Sequence, residues 1–399
     1  MARDIAGPAG LLARFGGGSR GAAHARVSGR RGRLDRLYLS QLIPALLTVI
    51  VGIVTIWSAS LTISDANFVS YLAGIALGLA VAVVIWRYDY RALSNMTVAL
   101  FVLACALFLL PKVPGVGWEA KGMVGWAKVG PIRFQPSEPA KVVTVFLMAS
   151  AAAQYNGKIE TFRDYAKLCA TLLVPLVMIL SYDLGTGLII FVIGAAIIIC
   201  SGAPRRWVIA TIALIVGGAV FVVITSMIDG LPHILKEYQL KRLTVFMDPA
   251  SDTSDDGYNL LQAKIAVGSG GFFGKGVGNA TQAAGGFLPE AHTDFVFALF
   301  AEEFGFLGSI VLLGLFAWMI FSTVLLAMRM ESTFSKLVLV GCVAMWTFQV
   351  LENVGMCIGM MPITGIPLPF VSYGSSSMIT QLASVGVVQS VWRHRQKAA

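Results

Sequence analysis

Glu290, His292 and Asp294 fall within five residues of one another in FLPEAHTDFVFALFAEEFG (287–305), at the entrance to a run apolar enough for a bilayer. Glu302 and Glu303 follow one or two helical turns later. Ionisable groups at membrane depth are costly and point to function by default. Asp294 is the strongest candidate for chemistry. Phe287, Leu288 and Phe295 surround it with apolar surface, which disfavours its charged form, whereas cations across a cleft would oppose that effect. A carboxylate in such a place can accept a proton from a hydroxyl nucleophile. The other reading is a salt-bridged interface aspartate.

Three further stretches carry chemistry-bearing residues. In GPIRFQPSEPAKVV (130–143), Pro136 and Pro139 favour an extended entry followed by a first helical turn. Glu138 and Lys141 then share one helix face, either as a structural ion pair or as part of a wet cavity. Arg133, just outside, has the planar donor fork that suits phosphate. Asp183 in SYDLGTG is either a helix cap or a cavity-lining group. The segment MPITGIPLPFVSYGSSS (361–377) predicts a non-helical wedge buried in protein at the membrane surface.

The glycine run GSGGFFGKGVG (268–278) is not a phosphate-binding P-loop. Gly276, not Ser or Thr, follows Lys275, and Ser269 stands where the first glycine belongs. It reads as a flexible turn beside the membrane, offering backbone N–H groups to an anion.

The elements that must position these residues are membrane helices. The chain is 57% hydrophobic and 13% charged, more apolar sequence than a soluble core needs. Apolar segments at 43–60, 68–86, 96–110, 138–155, 165–180, 184–201, 207–228, 304–328, 337–361 and 377–392 predict an all-α polytopic membrane protein of about ten transmembrane helices. A long extracytoplasmic loop (229–294) between helices 7 and 8 carries Lys236, Lys241, Arg242, Lys264 and Lys275, with a short interfacial helix expected in YNLLQAKIAV. A second outer loop, 112–133, carries Lys112, Lys121, Lys128 and Arg133.

Residues 1–36 read as a disordered basic cytoplasmic tail, and 37–397 as one membrane domain. The Lys/Arg asymmetry of the short loops places both termini in the cytoplasm. The net charge of +9 therefore reports orientation, and no nucleic-acid partner is expected. The five cysteines sit in apolar runs as buried hydrophobes, and the four histidines show no metal-binding spacing.

The motifs VGPIRFQPSEPAK, DLGTG, DPASD…GYNLLQAKIAVGSGGFFGKG, FLPEAHTDFVFA and PITGIPLPFVSYG, in this order, resemble those of the SEDS family (shape, elongation, division, sporulation) over residues 42–392. The resemblance implies a ten-helix glycosyltransferase polymerising lipid II, an undecaprenyl-pyrophosphate disaccharide pentapeptide, onto a growing glycan strand at the outer face of the bacterial plasma membrane. It implies Asp294 as the catalytic residue. Arg133, Glu138 and Lys141 match family positions and, with Lys128, Trp126, Lys275, Glu290 and His292, are expected to bind substrate. Asp183, Ser372 and Tyr373 are expected to shape or line the cavity. The family pattern is broken at Ser181-Tyr182, at Gly125 and at Ser375.

On this reading Asp294 removes a proton from a sugar hydroxyl as it attacks the anomeric carbon opposite the leaving group, giving a β-1,4 link with inversion. A divalent cation (magnesium or manganese) would help neutralise the pyrophosphate, though no ligand set is evident and the metal is unknown. The wording of the last motif favours the elongation branch over the division branch, and so a place in the elongation machinery. The implied partner is a class B penicillin-binding transpeptidase. It would dock near 337–392, where Gly341, Gly355 and Gly359 either permit close helix contact or pack internally. A lipid-linked-sugar transporter and a non-enzymatic scaffold are the alternatives.

Overall fold

A computed structural model of the chain describes residues 36–120, 123–129, 132–227 and 256–395. Almost all of the basic tail, residues 228–255 of the long loop (with Lys236, Lys241 and Arg242) and Lys121 lie outside the described residues. The chain falls into two compact units, Met1–Tyr38 and Leu39–Ala399, and the second holds every element described here.

That unit is mainly helical. In chain order it contains α1 (Leu39–Thr62), α2 (Phe68–Arg87), α3 (Thr97–Leu109), β1 (Gly117–Ala120), β2 (Met123–Val129), β3 (Ile132–Phe134), α4 (Ser137–Ala153), α5 (Phe162–Leu180), α6 (Leu184–Cys200) and α7 (Arg205–Met227). Then follow α8 (Asp256–Ser269), α9 (Thr281–Ala284), α10 (Val296–Met328), α11 (Thr333–Cys357) and α12 (Ser375–Arg393). Each predicted apolar segment overlaps one of these helices, and α8 occupies the expected interfacial stretch. Five of them, α1, α2, α7, α10 and α11, are long and apolar enough to cross a membrane by length and composition.

The remaining helices show why hydropathy alone understates the bundle. On α12, the Gln381 side chain accepts from Trp346 Nε1 (2.9 Å) and donates to Gln349 (3.0 Å), and Gln389 donates to Gln41 (2.7 Å). Polar groups that would be costly in lipid are thus bonded between helices. Small residues let α12 lie tightly along α2: a Cβ at Gly386 would sit 2.6 Å from the Ala82 carbonyl oxygen. Gly341, Gly355 and Gly359 are also spent inside the protein, against Val145, Met361 and the Lys264 side chain respectively. For Gly341 and Gly355, both buried, this is the internal packing that the sequence left open, whereas Gly359 is half-buried.

Two elements depart from expectation. The segment 112–134 contains a three-stranded antiparallel sheet, β1-β2-β3, that an all-helical reading omits. Helix α10 begins at Val296, eight residues before the predicted apolar segment, because Glu302 and Glu303 are buried and bonded and so do not end the helix. It breaks at Gly305 (φ 66°, ψ −163°), a conformation essentially confined to glycine.

The glycine run 268–276 closes this break. A broken helix strands backbone N–H and C=O groups, which must find partners away from water. Phe306 N and Leu307 N donate to Gly271 O (2.9 Å) and Phe272 O (3.1 Å). In return Lys275 N and Gly276 N donate to Glu302 O (3.0 Å) and Glu303 O (2.9 Å). Gly274 must lack a side chain, since a Cβ there would lie 2.1 Å from the Glu303 oxygen. The N–H groups of Lys275 and Gly276 thus serve the helix and are not offered to an anion.

Candidate active site

Asp294 sits in the turn that leads into α10. Glu290, with φ 57°, reverses the chain so that its carbonyl accepts from the N–H groups of Thr293, Asp294 and Phe295. Three consecutive carbonyls then take donors from the end of the chain. His292 O accepts from Tyr373 N (2.9 Å), Thr293 O from Ser372 Oγ (2.6 Å) and Asp294 O from Asn353 Nδ2 (2.7 Å). The backbone that carries the carboxylate is therefore held at every residue.

The last loop closes under it. Asn353 also donates to Ile366 O (2.8 Å), Glu352 accepts from the Thr364 hydroxyl, and Ser372 Oγ accepts from Leu368 N (2.8 Å). Between those anchors Gly365 (φ 72°) lies against the half-buried Asp294, so that a Cβ there would be 3.2 Å from Oδ2. Tyr71 on α2 donates to Phe370 O (3.1 Å), and its ring faces Tyr373, which in turn packs on His292 with centroids 5.3 Å apart.

Asp183 caps α6, accepting from Thr186 N (2.9 Å) and Oγ1 (2.7 Å). The glycine two residues on, Gly185, abuts Thr364 and Ile366, so the DLGTG motif buttresses the same loop.

The small sheet presents a cationic and aromatic face. Trp118 pairs with Trp126 and Lys128 with Arg133, and alternation along the strands puts all four on one side. Lys128 Nζ and Arg133 Cζ lie 4.6 and 4.7 Å from the Trp118 ring centre, within cation–π range. Trp118 remains 37% exposed. Just after β3, Gln135 N donates to Ser376 Oγ (3.1 Å), tying the sheet to the start of α12, three residues past Tyr373.

Other expected site residues lie elsewhere. Glu138 and Lys141 form a 2.8 Å ion pair inside the bundle, and Lys141 has no exposed surface. The pair links successive turns of α4. Lys275 bonds Glu302 (2.5 Å) and Thr281 (2.8 Å), within a cluster where Glu302 also accepts from Thr281 N and Gln282 N. Glu303 accepts from Ser58 and from Gly278 N. Sequence reasoning overlooked Asn353, Glu352, Gly365 and Trp118. The pair Glu352-Asn353 inside an apolar run was the signal available for the first two. Among the described residues no group of three or more His, Cys, Asp or Glu is arranged to hold a metal.

A family model described as cell cycle protein, FtsW/RodA/SpoVE, matches residues 38–397, and the chain belongs to this family. It is 32% identical to the peptidoglycan glycosyltransferase MrdB of Escherichia coli K12, over 91% of this chain and 95% of that protein. It is 33% identical to the probable peptidoglycan glycosyltransferase FtsW of Saccharophagus degradans, over 90% and 92%. Its fold is similar to the rod shape determining protein RodA of Thermus thermophilus, with TM-score 0.65 and 27% identity, over 90% and 98% of the chains. A chain from a structure described as the structural coordination of polymerization and crosslinking by a peptidoglycan synthase complex gives TM-score 0.74 at 28% identity, over 90% and 98%.

Proposed function

We propose that this chain is a peptidoglycan glycosyltransferase that polymerises lipid II into β-1,4 glycan strands at the outer face of a bacterial plasma membrane. Family membership and the names of its relatives support the reaction. The observation that carries the assignment of Asp294 is the clamp on residues 292–294. A general base must be in place before the hydroxyl attacks, and a backbone held at three successive carbonyls keeps its carboxylate near one position. Asp294 accepts the proton of the acceptor hydroxyl as that oxygen attacks the anomeric carbon and the lipid pyrophosphate leaves from the opposite face. Arg133 and Lys128 take the pyrophosphate, with Trp118 and Trp126 as flat apolar surfaces for the sugar. Glu290 and His292 shape the turn.

In this reading residues 1–36 form a cytoplasmic tail and 37–397 a domain crossing the membrane ten times, with 229–294 outside and both termini inside. The Lys/Arg asymmetry of the short loops supports this orientation. An impermeant maleimide that labels a cysteine at Ser28 of intact cells, but not one at Ser251, would overturn it.

The similarity to a complex coordinating polymerization and crosslinking supports pairing with a class B penicillin-binding transpeptidase. The TGIPLPFVSYG motif supports the elongation branch, while identities of 32% and 33% to MrdB and FtsW do not separate the two. Purified chain supplied with lipid II in detergent is expected to make glycan polymer without another enzyme. A transporter or a scaffold would make none.

A further inference from the structure

Helix α7 stands apart from the bundle: no residue in its most apolar stretch is buried, and Leu214 is 77% exposed. Between it and helices α5 and α6 lies a groove of about 280 Å³, open along one side. Its walls include Leu172, Leu176, Phe191, Ala195, Ile212 and Ile215. On α5 the lining runs from Tyr165 to Leu176, about 17 Å of helix, close to half of a hydrocarbon core of about 30 Å. The groove is as deep as one leaflet and almost wholly apolar.

Its Tyr165 end is built differently. The Tyr165 hydroxyl meets Thr211 Oγ1 (2.8 Å), and the rings of Phe162, Tyr165 and Trp207 cluster as interfacial aromatics do. Arg206 lies over Trp207 with its guanidinium 5.4 Å from the ring centre. The first turns of α5 and α7 expose Arg163, Lys167, Arg205 and Arg206 against one carboxylate, Asp164, which already pairs with Lys167 (3.0 Å). A dry slot one leaflet deep, with a surplus of arginine at its rim, has the chemistry of an anionic amphiphile site.

We propose that this groove holds one anionic phospholipid of the adjacent leaflet, its acyl chains between α5, α6 and α7 and its phosphate against Arg205 and Arg206. An uncharged rim would accept any lipid; the arginines add selectivity, each worth about a fivefold preference near a membrane surface. The proposal is independent of the glycosyltransferase reading, because none of these residues belongs to the Asp294 site.

Native mass spectrometry of the purified full chain, given phosphatidylglycerol or phosphatidylethanolamine, tests it. One phosphatidylglycerol should be retained at least tenfold more than phosphatidylethanolamine. Arg205→Gln with Arg206→Gln should bring the retention of the two lipids close to equal. Ala195→Trp should fill the groove and abolish retention of both lipids. Equal retention of the two lipids by the parent chain overturns the proposal, as does an unchanged preference in the double variant or a second copy of the chain occupying the groove. Should Ala195→Trp not fold, the surface arginine pair decides alone.

Discussion

Asp294 and Glu302 stand eight residues apart at the head of the same helix, and their surroundings are opposite. Around Glu302 it is the carboxylate that is saturated, by Lys275, by the hydroxyl and N–H of Thr281 and by Gln282 N. Around Asp294 it is the backbone that takes bonds from Tyr373, Ser372 and Asn353, and Gly365 lies against the carboxylate. The first arrangement uses a charge to fasten a loop. The second fastens a loop in order to place a charge. Sequence proximity does not tell the two apart; burial, complete for Glu302 and partial for Asp294, and the identity of the bonded atoms do.

Lys275→Met should break the first region most severely. It strands the buried Glu302 carboxylate, a loss of about 3 kcal/mol, at the low end for a broken buried pair because the Thr281 donors remain. Thermal unfolding in detergent should show that loss, with polymerisation per folded molecule retained. An unchanged melting temperature with a raised lipid II requirement would instead return Lys275 to the substrate.

Paired glycine substitutions sharpen the contrast. Gly274→Ala and Gly365→Ala both force a residue into the left-handed region, a strain of roughly 1–2 kcal/mol. At Gly274 the new methyl meets the Glu303 carbonyl, so stability should fall further. At Gly365 it meets the Asp294 carboxylate, so kcat should fall at least tenfold with a modest loss of stability. Equal effects of the two on activity would mean that the two regions are not functionally distinct.

Asn353→Ala removes two hydrogen bonds from the clamp and should lower stability by about 1–3 kcal/mol. As a positioning residue it should lower kcat while leaving KM for lipid II near the parent value. A change confined to KM would place Asn353 against the substrate.

Much of this arrangement was legible in residue types, and the remainder was not for identifiable reasons. Apolar runs located the helices, and for Asp183 at the head of DLGTG a cap was one of the two readings open. Glu302 and Glu303 misplaced the start of α10, since a charge in an apolar run reads as an end unless its distant partners are known. The glycine run failed in the same way: its backbone bonds go to the break at Gly305, some thirty residues on, and no local pattern encodes that. The sheet hid in alternation too short to outweigh its Gly and Lys content. Asn353 escaped because its partners are backbone carbonyls, which have no sequence signature.

The most direct test of the account is polymerisation of purified lipid II by Asp294→Asn. Asparagine keeps the size and polarity of the side chain and leaves the three backbone bonds of the clamp intact, but it cannot take the hydroxyl proton. The account predicts a fall in rate of roughly 10²–10⁴-fold with melting temperature and lipid II binding nearly unchanged. Polymerisation at near the parent rate would contradict it, and Asp294 would then not be the base.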